Sequence, residues 1–221
     1  MNTHTAVRAS NRLLVRAVMV TAILAALLGI LFGAWVIDDT FDTDYWFTAF
    51  VATPLALTPI VEGTIGQSTV QYHEVIIYSS EALVVPRTLI ATSHALHFSL
   101  FVLACVSVII LSNRLLANRR FTRTARWSML AIGVLASLTS VAAPMLHDLS
   151  GKLAATALGY PVSGGGDDST LPLDEQEWIV PDAVTLFDTN WALLVLGVLL
   201  ILAAATFLRG ERLQNDTEGL I

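Results

Sequence analysis

The sequence of 221 residues contains few charged side chains. Charged residues make up 14% of the chain and hydrophobic residues 55%, whereas a soluble domain has about 25% charged residues. Four runs have no Asp, Glu, Lys or Arg: residues 17–37, 89–111, 127–146 and 191–208. Each run has about the 20 apolar residues that a helix needs to cross a bilayer core. The composition therefore excludes an ordinary soluble domain and predicts an integral membrane protein.

The sequence also lacks the short motifs of common enzymes. It has no phosphate-binding glycine-rich loop, no G-x-S-x-G, no H-E-x-x-H and no C-x-x-C. The single cysteine, Cys105, excludes an internal disulfide. The four runs also lack the acidic and basic side chains that ion-coupled transporters keep at the middle of the membrane, which counts against a transporter. We therefore expect a protein that is not an enzyme and has no cofactor.

The first run predicts a retained membrane helix with a packing face. It is longer than the apolar part of a signal peptide, which has about 7–15 residues. Ala25, Gly29 and Gly33 recur every four residues, and small residues at this spacing let a second helix approach closely. The alternative interpretation is chance, because small residues are frequent in membrane helices.

The charges divide sharply between two sets of segments. Ten of the 12 basic residues lie in residues 1–16, 112–126 and 209–221, and fifteen of the 18 acidic residues lie in residues 38–87 and 147–190. Loops rich in Lys and Arg stay on the cytoplasmic side of a membrane. We therefore predict four spans in the plasma membrane, with both termini and the basic turn in the cytoplasm and the two acidic connections outside.

The two outer connections predict a small cap with some β structure. Residues 68–80 are rich in β-branched and aromatic residues, and residues 81–86 form a second short β-like run. Residues 178–188 could add strands to the same sheet, whereas the apolar segment 45–60 is interrupted by prolines and could lie along the membrane surface. The predicted fold is a single all-α membrane domain, an antiparallel four-helix transmembrane bundle with this extracytoplasmic cap.

Three histidines and one aspartate are the candidate metal ligands. His94 and His97 lie three positions apart, hence on one face of the predicted second span. His147 and Asp148 follow the third span. One interpretation is a metal site near the outer membrane face, or a haem held between His147 and one of the other two histidines. The other is that the histidines form hydrogen bonds to hydroxyl or backbone groups of the helices.

Arginines flank the spans on the predicted cytoplasmic side. Either they only set the orientation, or they also contact anionic lipid headgroups or an acidic partner. Because these residues adjoin the bilayer, we expect no direct binding to nucleic acid. The arginines are Arg114, Arg119, Arg120, Arg123 and Arg126 in the turn and Arg209 and Arg212 in the tail.

Two stretches carry a family resemblance. The first has a Phe-Thr pair before the third span, then a basic residue and a glycine, at Phe121, Thr122, Arg126 and Gly133. The second is an ending of the type Arg-Gly-x-x-Leu-x-x-Asp-x-x-Gly-Leu, at Arg209, Gly210, Leu213, Asp216, Gly219 and Leu220. Together they resemble a bacterial family of small four-span membrane proteins of unknown function, the YoaS-like proteins, many of which have proline where this chain has Arg120. Because genes of that family often lie beside a helix-turn-helix regulator, the resemblance implies a membrane accessory or sensor.

These observations predict a non-enzymatic accessory or sensory membrane protein that acts through its basic turn and tail. The expected partners are the lipid bilayer and a cytoplasmic regulatory protein, and a second copy of the chain is a further candidate. Two alternatives stay open: a metal- or haem-binding membrane redox protein using His94, His97 and His147, and a small-molecule transporter.

Overall fold

The protein is mostly helical. The computed structural model describes residues 3–42, 44–51, 60–63, 66–69, 74–117, 122–159, 179–181 and 188–218. Its long helices are α1 (Thr3–Asp42), α2 (Val84–Leu116), α3 (Thr122–Ala157) and α4 (Trp191–Glu218). Each helix contains one of the four charge-free runs and extends beyond it. The prediction of four long apolar helices is therefore confirmed in the described part of the chain.

All four helices are long and apolar enough to cross a membrane. Large apolar side chains on them are uncovered; Leu31 is 68% exposed, Leu28 66% and Leu199 56%. Soluble monomers rarely leave wide apolar faces open to water. The 33 residues of α2 span about 50 Å, more than the ~30 Å of a hydrocarbon core. By length and composition, this is a multi-pass membrane protein.

The chain divides into two compact units. Unit 1 comprises Met1–Ile37, Ser93–Pro144 and Thr189–Ile221, and unit 2 comprises Asp38–Thr92 and Met145–Asp188. Helices α1, α2 and α3 each carry residues of both units.

In unit 1, small residues bring α1 close to α2. Two of the three predicted packing residues are buried there: a Cβ on Gly29 would lie 2.7 Å from the Phe101 ring, and a Cβ on Gly33 would lie 2.8 Å from the Phe98 ring. Ala25 is half-buried. Because residue numbers rise on α1 as they fall on α2, the two helices contact each other in antiparallel order.

Helices α3 and α4 of unit 1 approach even more closely, backbone against backbone. A Cβ on Gly133 would lie 2.8 Å from the Gly197 carbonyl oxygen and 2.8 Å from Ile201 Cγ1. A Cβ on Gly197 would overlap Ser137 Oγ, which donates a hydrogen bond to the Gly133 carbonyl at 2.9 Å. Neither glycine has room for a side chain, so this contact requires both of them.

A proline inside α3 fixes the start of α4. Pro144 has no backbone N–H to donate to the Ser140 carbonyl one turn earlier. The backbone N–H of Asn190 donates to that carbonyl instead, at 3.0 Å. Asn190 also caps α4, because its Oδ1 accepts a hydrogen bond from Leu193 N at 3.1 Å. The acceptor that the proline leaves open thus becomes the attachment point of the next helix.

Unit 2 contains short antiparallel sheets. The strands are β1 (Tyr45–Val51), β2 (Ile60–Gly63), β3 (Gly66–Thr69), β4 (Glu74–Ser79) and β5 (Ile179–Pro181). β1 lies between β4 and β5, and β2 pairs with β3. Both predicted outer connections therefore contribute a strand to one sheet in the described residues.

The core of unit 2 lies between β1 and parts of two helices. Tyr45 and Phe47 are each 4% exposed and pack with Ile90 of α2 and with Ala154 and Ala155 of α3. Along β1 the side chains alternate, so Tyr45 and Phe47 share the inner face. This packing places Tyr45 next to Ser150 of α3 and Arg87 of α2.

Two local expectations differ from the structure. The β-like run predicted at residues 81–86 is wrong, because residues 81–83 form no strand and α2 begins at Val84. Pro86 lies in the first turn of that helix, where proline is well tolerated. In the apolar segment 45–60, the first seven residues form strand β1, and residues 52–59 lie outside the described residues.

Candidate functional site

A buried guanidinium lies in the first turns of α2, in unit 2, and belongs to Arg87. Arg87 is only 6% exposed. Its Nη1 donates to the Thr40 carbonyl at 2.7 Å, and its Nη2 donates to the Glu81 carbonyl at 3.4 Å. Thr40 lies in the last turn of α1, where carbonyls lack helical donors and a cation is favourable. Arg87 therefore joins the end of α1 to the segment that precedes α2.

A chain of hydroxyl groups continues from the same place. Ser150 of α3 is fully buried, and its Oγ donates to the Pro86 carbonyl of α2 at 2.9 Å. Because the single Ser150 hydroxyl proton is used there, the hydroxyl of Tyr45 donates to Ser150 Oγ. The guanidinium carbon of Arg87 lies 5.8 Å from the centre of the Tyr45 ring. The cluster of Arg87, Tyr45 and Ser150 thus connects α1, β1, α2 and α3, and we call it the arginine cluster.

The surroundings of Tyr45 keep its phenol neutral. Burial raises the pKa of Tyr45 above its ordinary value, and the hydrogen bond with Ser150 and the charge of Arg87 partly oppose this rise. A neutral phenol is the form that donates to Ser150. The arginine cluster is therefore in its hydrogen-bonded state throughout the neutral pH range.

A small polar cavity adjoins the arginine cluster. Its volume is about 30 Å³, enough for one or two water molecules and far below the ~300–1,000 Å³ of typical ligand pockets. The cavity does not have room for an organic substrate. Its lining includes Tyr45, Phe47, Thr48, Ile90, His147 and Asp148.

The candidate metal ligands do not form a cluster in the described part of the chain. No group of three or more His, Cys, Asp or Glu side chains is placed there to hold a metal ion. His94 is half-buried, and His97 is exposed with Nδ1 3.0 Å from the Ser93 carbonyl oxygen. His94 and His97 belong to unit 1, whereas His147 and Asp148 belong to unit 2. Metal or haem binding by these residues stays a prediction.

The described arginines of the basic turn have two environments. Arg114 and Arg123 are exposed, and Arg126 is half-buried with its guanidinium carbon 5.9 Å from the centre of the Trp127 ring. Arg119 and Arg120 lie outside the described residues, and Arg209 and Arg212 lie in α4 with side chains that are not described.

Sequence reasoning gave no role to Arg87 and Ser150, and it placed Tyr45 only in the segment that could lie along the membrane surface. It counted Arg87 only as the one base of the first outer connection. A usable signal was present: a lone arginine among seven acidic residues, directly after a proline that suits the first turn of a helix. Tyr45 and Ser150 had no comparable signal, because only the tertiary fold brings residues from β1 and α3 together.

Comparisons of the chain with protein-family models, with curated proteins and with solved structures give no match. The resemblance to the YoaS-like family therefore stays a prediction, and the site is interpreted from its own geometry. That geometry is a buried polar cluster that fixes the ends of several helices beside a cavity of water size.

Proposed function

We propose that this chain is a non-enzymatic accessory or sensory protein of the plasma membrane. Its four helices form an antiparallel transmembrane bundle, with both termini and the 112–126 turn in the cytoplasm. Residues 38–87 and 147–190 form an outer cap with β structure. The distribution of arginine supports this orientation, since each arginine beside an anionic leaflet contributes roughly 1 kcal/mol.

The observation that carries the sensory role is that the arginine cluster lies on helices shared by both units. Arg87 and Ser150 belong to unit 2, and the helices that carry them, α2 and α3, also carry residues of unit 1. A ligand or partner that moves β1 would displace Tyr45 and break its hydrogen bond to Ser150 of α3. Ser150 in turn donates to the Pro86 carbonyl of α2. Coupling between distant sites travels through packed, rigid elements of this kind. The signal would reach a cytoplasmic protein at the basic turn and the tail.

The orientation can be tested with thiol labelling, because Cys105 is the single native cysteine. In a Cys105→Ala background, we expect Lys152→Cys to react with a membrane-impermeant maleimide on intact cells. Ala117→Cys should react only after the membrane is permeabilised. Both native side chains are exposed, so access depends on the side of the membrane. The Cys105→Ala protein alone controls for background, and the reversed labelling pattern would contradict the proposed orientation.

The cytoplasmic contact can be tested by removing residues 214–221. We expect the deletion to abolish in-cell cross-linking between this protein and a cytoplasmic partner. The unfolding temperature in detergent should stay unchanged. A Gly-Ser segment of equal length in place of 214–221 is the control for chain length, and it should behave like the deletion. Identical cross-linked products with and without the tail would count against a tail-mediated role.

A further inference from the structure

Two strands of unit 2 carry a row of uncovered apolar side chains. Because side chains alternate along a strand, Trp46 lies on the face of β1 opposite Tyr45, which packs inward. On that outer face Trp46 pairs with Tyr78 of β4, and Thr48 pairs with Ile76. Trp46 is 47%, Ile76 53% and Tyr78 68% exposed. We call Trp46, Tyr78 and Ile76 the outer row.

The outer row lies near the level at which α2 and α3 leave the apolar region. Ser150 of α3 is hydrogen-bonded to the Pro86 carbonyl of α2. The charge-free run of α2 begins three residues after Pro86, and that of α3 ends four residues before Ser150. At about 1.5 Å per residue, both runs end roughly 4–6 Å along the helices from this hydrogen bond. The bond therefore lies just beyond the hydrocarbon core of the membrane.

Strand β1 is attached at this boundary. The Tyr45 hydroxyl is hydrogen-bonded to Ser150, and Trp46 is the next residue. Trp46 also lines the small polar cavity together with His147 and Ile90. His147 directly follows the charge-free run of α3, and Ile90 is the second residue of the run of α2. Trp46 is thus within the roughly 5–8 Å that a headgroup layer occupies on each side of a hydrocarbon core.

Further apolar side chains near this level of unit 2 are uncovered. Val84 and Val85 precede Pro86 and are 64% and 58% exposed. Leu149 precedes Ser150 and is 38% exposed. Grouped apolar side chains that stay uncovered mark a surface that contacts lipid or another protein. The outer row is therefore part of a wider apolar surface at the height of the headgroups.

The composition of the outer row selects the bilayer interface as its partner. Trp and Tyr concentrate there because their rings are apolar and their N–H or O–H groups are polar. Acidic residues set the depth, since Asp44 directly precedes β1, Glu81 follows β4, and both are exposed. Carboxylates are costly in hydrocarbon, so the row can lie among headgroups but no deeper. The inner face of β1 packs on α2 and α3, so the row faces away from these two helices, sideways into the leaflet.

We propose that the outer row is seated in the headgroup layer of the membrane on the side of unit 2. The rings of Trp46 and Tyr78 lie at the acyl boundary, and their N–H and O–H groups lie among the lipid ester and phosphate oxygens. The sheet is then a lipid-binding surface, which fixes β1, and through Tyr45 the arginine cluster, to the membrane surface. The inference rests on the membrane location of the helices but not on which side of the membrane is cytoplasmic.

The test is spin labelling of the full chain in phosphatidylcholine vesicles. In the Cys105→Ala background, a label at Tyr78→Cys should collide with oxygen, which partitions into lipid, and be shielded from a water-soluble nickel chelate. The matched control is Thr156→Cys, an exposed position of α3 in unit 2 that lies about 15 Å beyond the charge-free run. We expect the ratio of oxygen to nickel collisions to be at least about threefold higher at Tyr78→Cys than at Thr156→Cys.

A second measurement uses the native side chain of Trp46. The difference in fluorescence between the native chain and Trp46→Phe isolates this one of the five tryptophans. Its emission should be quenched by phosphatidylcholine brominated on the acyl chains close to the headgroup, and only weakly by acrylamide in the water. The unfolding temperature in detergent checks that each variant folds like the parent chain.

Three results would overturn the proposal. Equal collision ratios at Tyr78→Cys and Thr156→Cys, with Trp46 quenched by acrylamide, would place the outer row in water. Spin–spin broadening between labels of two chains would assign the row to a second copy, and a label shielded from both reagents would assign it to another protein surface. Thiol labelling reports the orientation of the chain separately, so failure of either conclusion can be recognised.

Discussion

Replacing Gly133 with alanine is expected to destabilise the protein by about 2 kcal/mol, the typical effect of forcing extra volume into a packed contact. The new methyl group would lie 2.8 Å from the Gly197 carbonyl oxygen and 3.1 Å from the Ile201 backbone nitrogen. Backbone atoms cannot rotate away as a side chain can, so α4 would have to move from α3. The measurement is denaturant unfolding in detergent micelles.

The same helix offers a matched control. Gly151 also lies in α3, but a Cβ there would meet only Phe47, at 3.7 Å, which is an ordinary contact distance. Gly151→Ala should therefore be neutral or stabilise the helix by roughly 0.5–1 kcal/mol, because alanine loses less conformational freedom than glycine. Equal effects of the two substitutions would show that α3 and α4 do not meet at Gly133.

Replacing Arg87 with alanine is expected to cost about 3 kcal/mol of folding free energy, since hydrogen bonds from a buried cation are lost and two partly buried carbonyls lose a donor. The carbonyls of Thr40 and Glu81 would lose a donor together. Arg87→Lys should recover part of this loss, because an ammonium group keeps the charge but cannot reproduce the planar fork of a guanidinium. Unfolding in detergent gives the comparison.

Two further measurements show whether the stability loss in Arg87→Ala comes from the arginine cluster or from the loss of any basic side chain. Lys152→Ala removes an exposed base in the same unit and should change stability by no more than about 0.5 kcal/mol. The charge of Arg87 lowers the pKa of Tyr45, so the Tyr45 phenol should titrate at higher pH in Arg87→Ala. If Arg87→Ala were as stable as Lys152→Ala, the arginine cluster would not be what stabilises the end of α1 and the start of α2.

The helices could be predicted because lipid imposes a simple pattern on sequence. A run such as residues 191–208, without a charge, has few structural alternatives. The ends of the helices could not be predicted in the same way. Outside the charge-free runs, Val84 and Val85 favour a strand by composition, but α2 begins at Val84. Arg87 and Ser150 form hydrogen bonds there with residues far away in the sequence.

The close contacts were predictable only in part. The four-residue spacing of Ala25, Gly29 and Gly33 is a signal in the sequence itself. The contact between Gly133 and Gly197 could not be predicted, since no glycines at four-residue spacing mark it and the distance between the two helices is set by the fold. The arginine cluster is a stronger case, because its members come from three separate elements and none belongs to a motif.

The proline of α3 has a consequence for the biogenesis of the chain. The Ser140 carbonyl can position Asn190 only after α3 has formed. In the helix this carbonyl has a fixed position and no donor from Pro144. The residues that precede α4 thus find their anchor after the third helix is complete. Helix α4 leaves the ribosome after α3, so its first residues are positioned by a helix that has already formed.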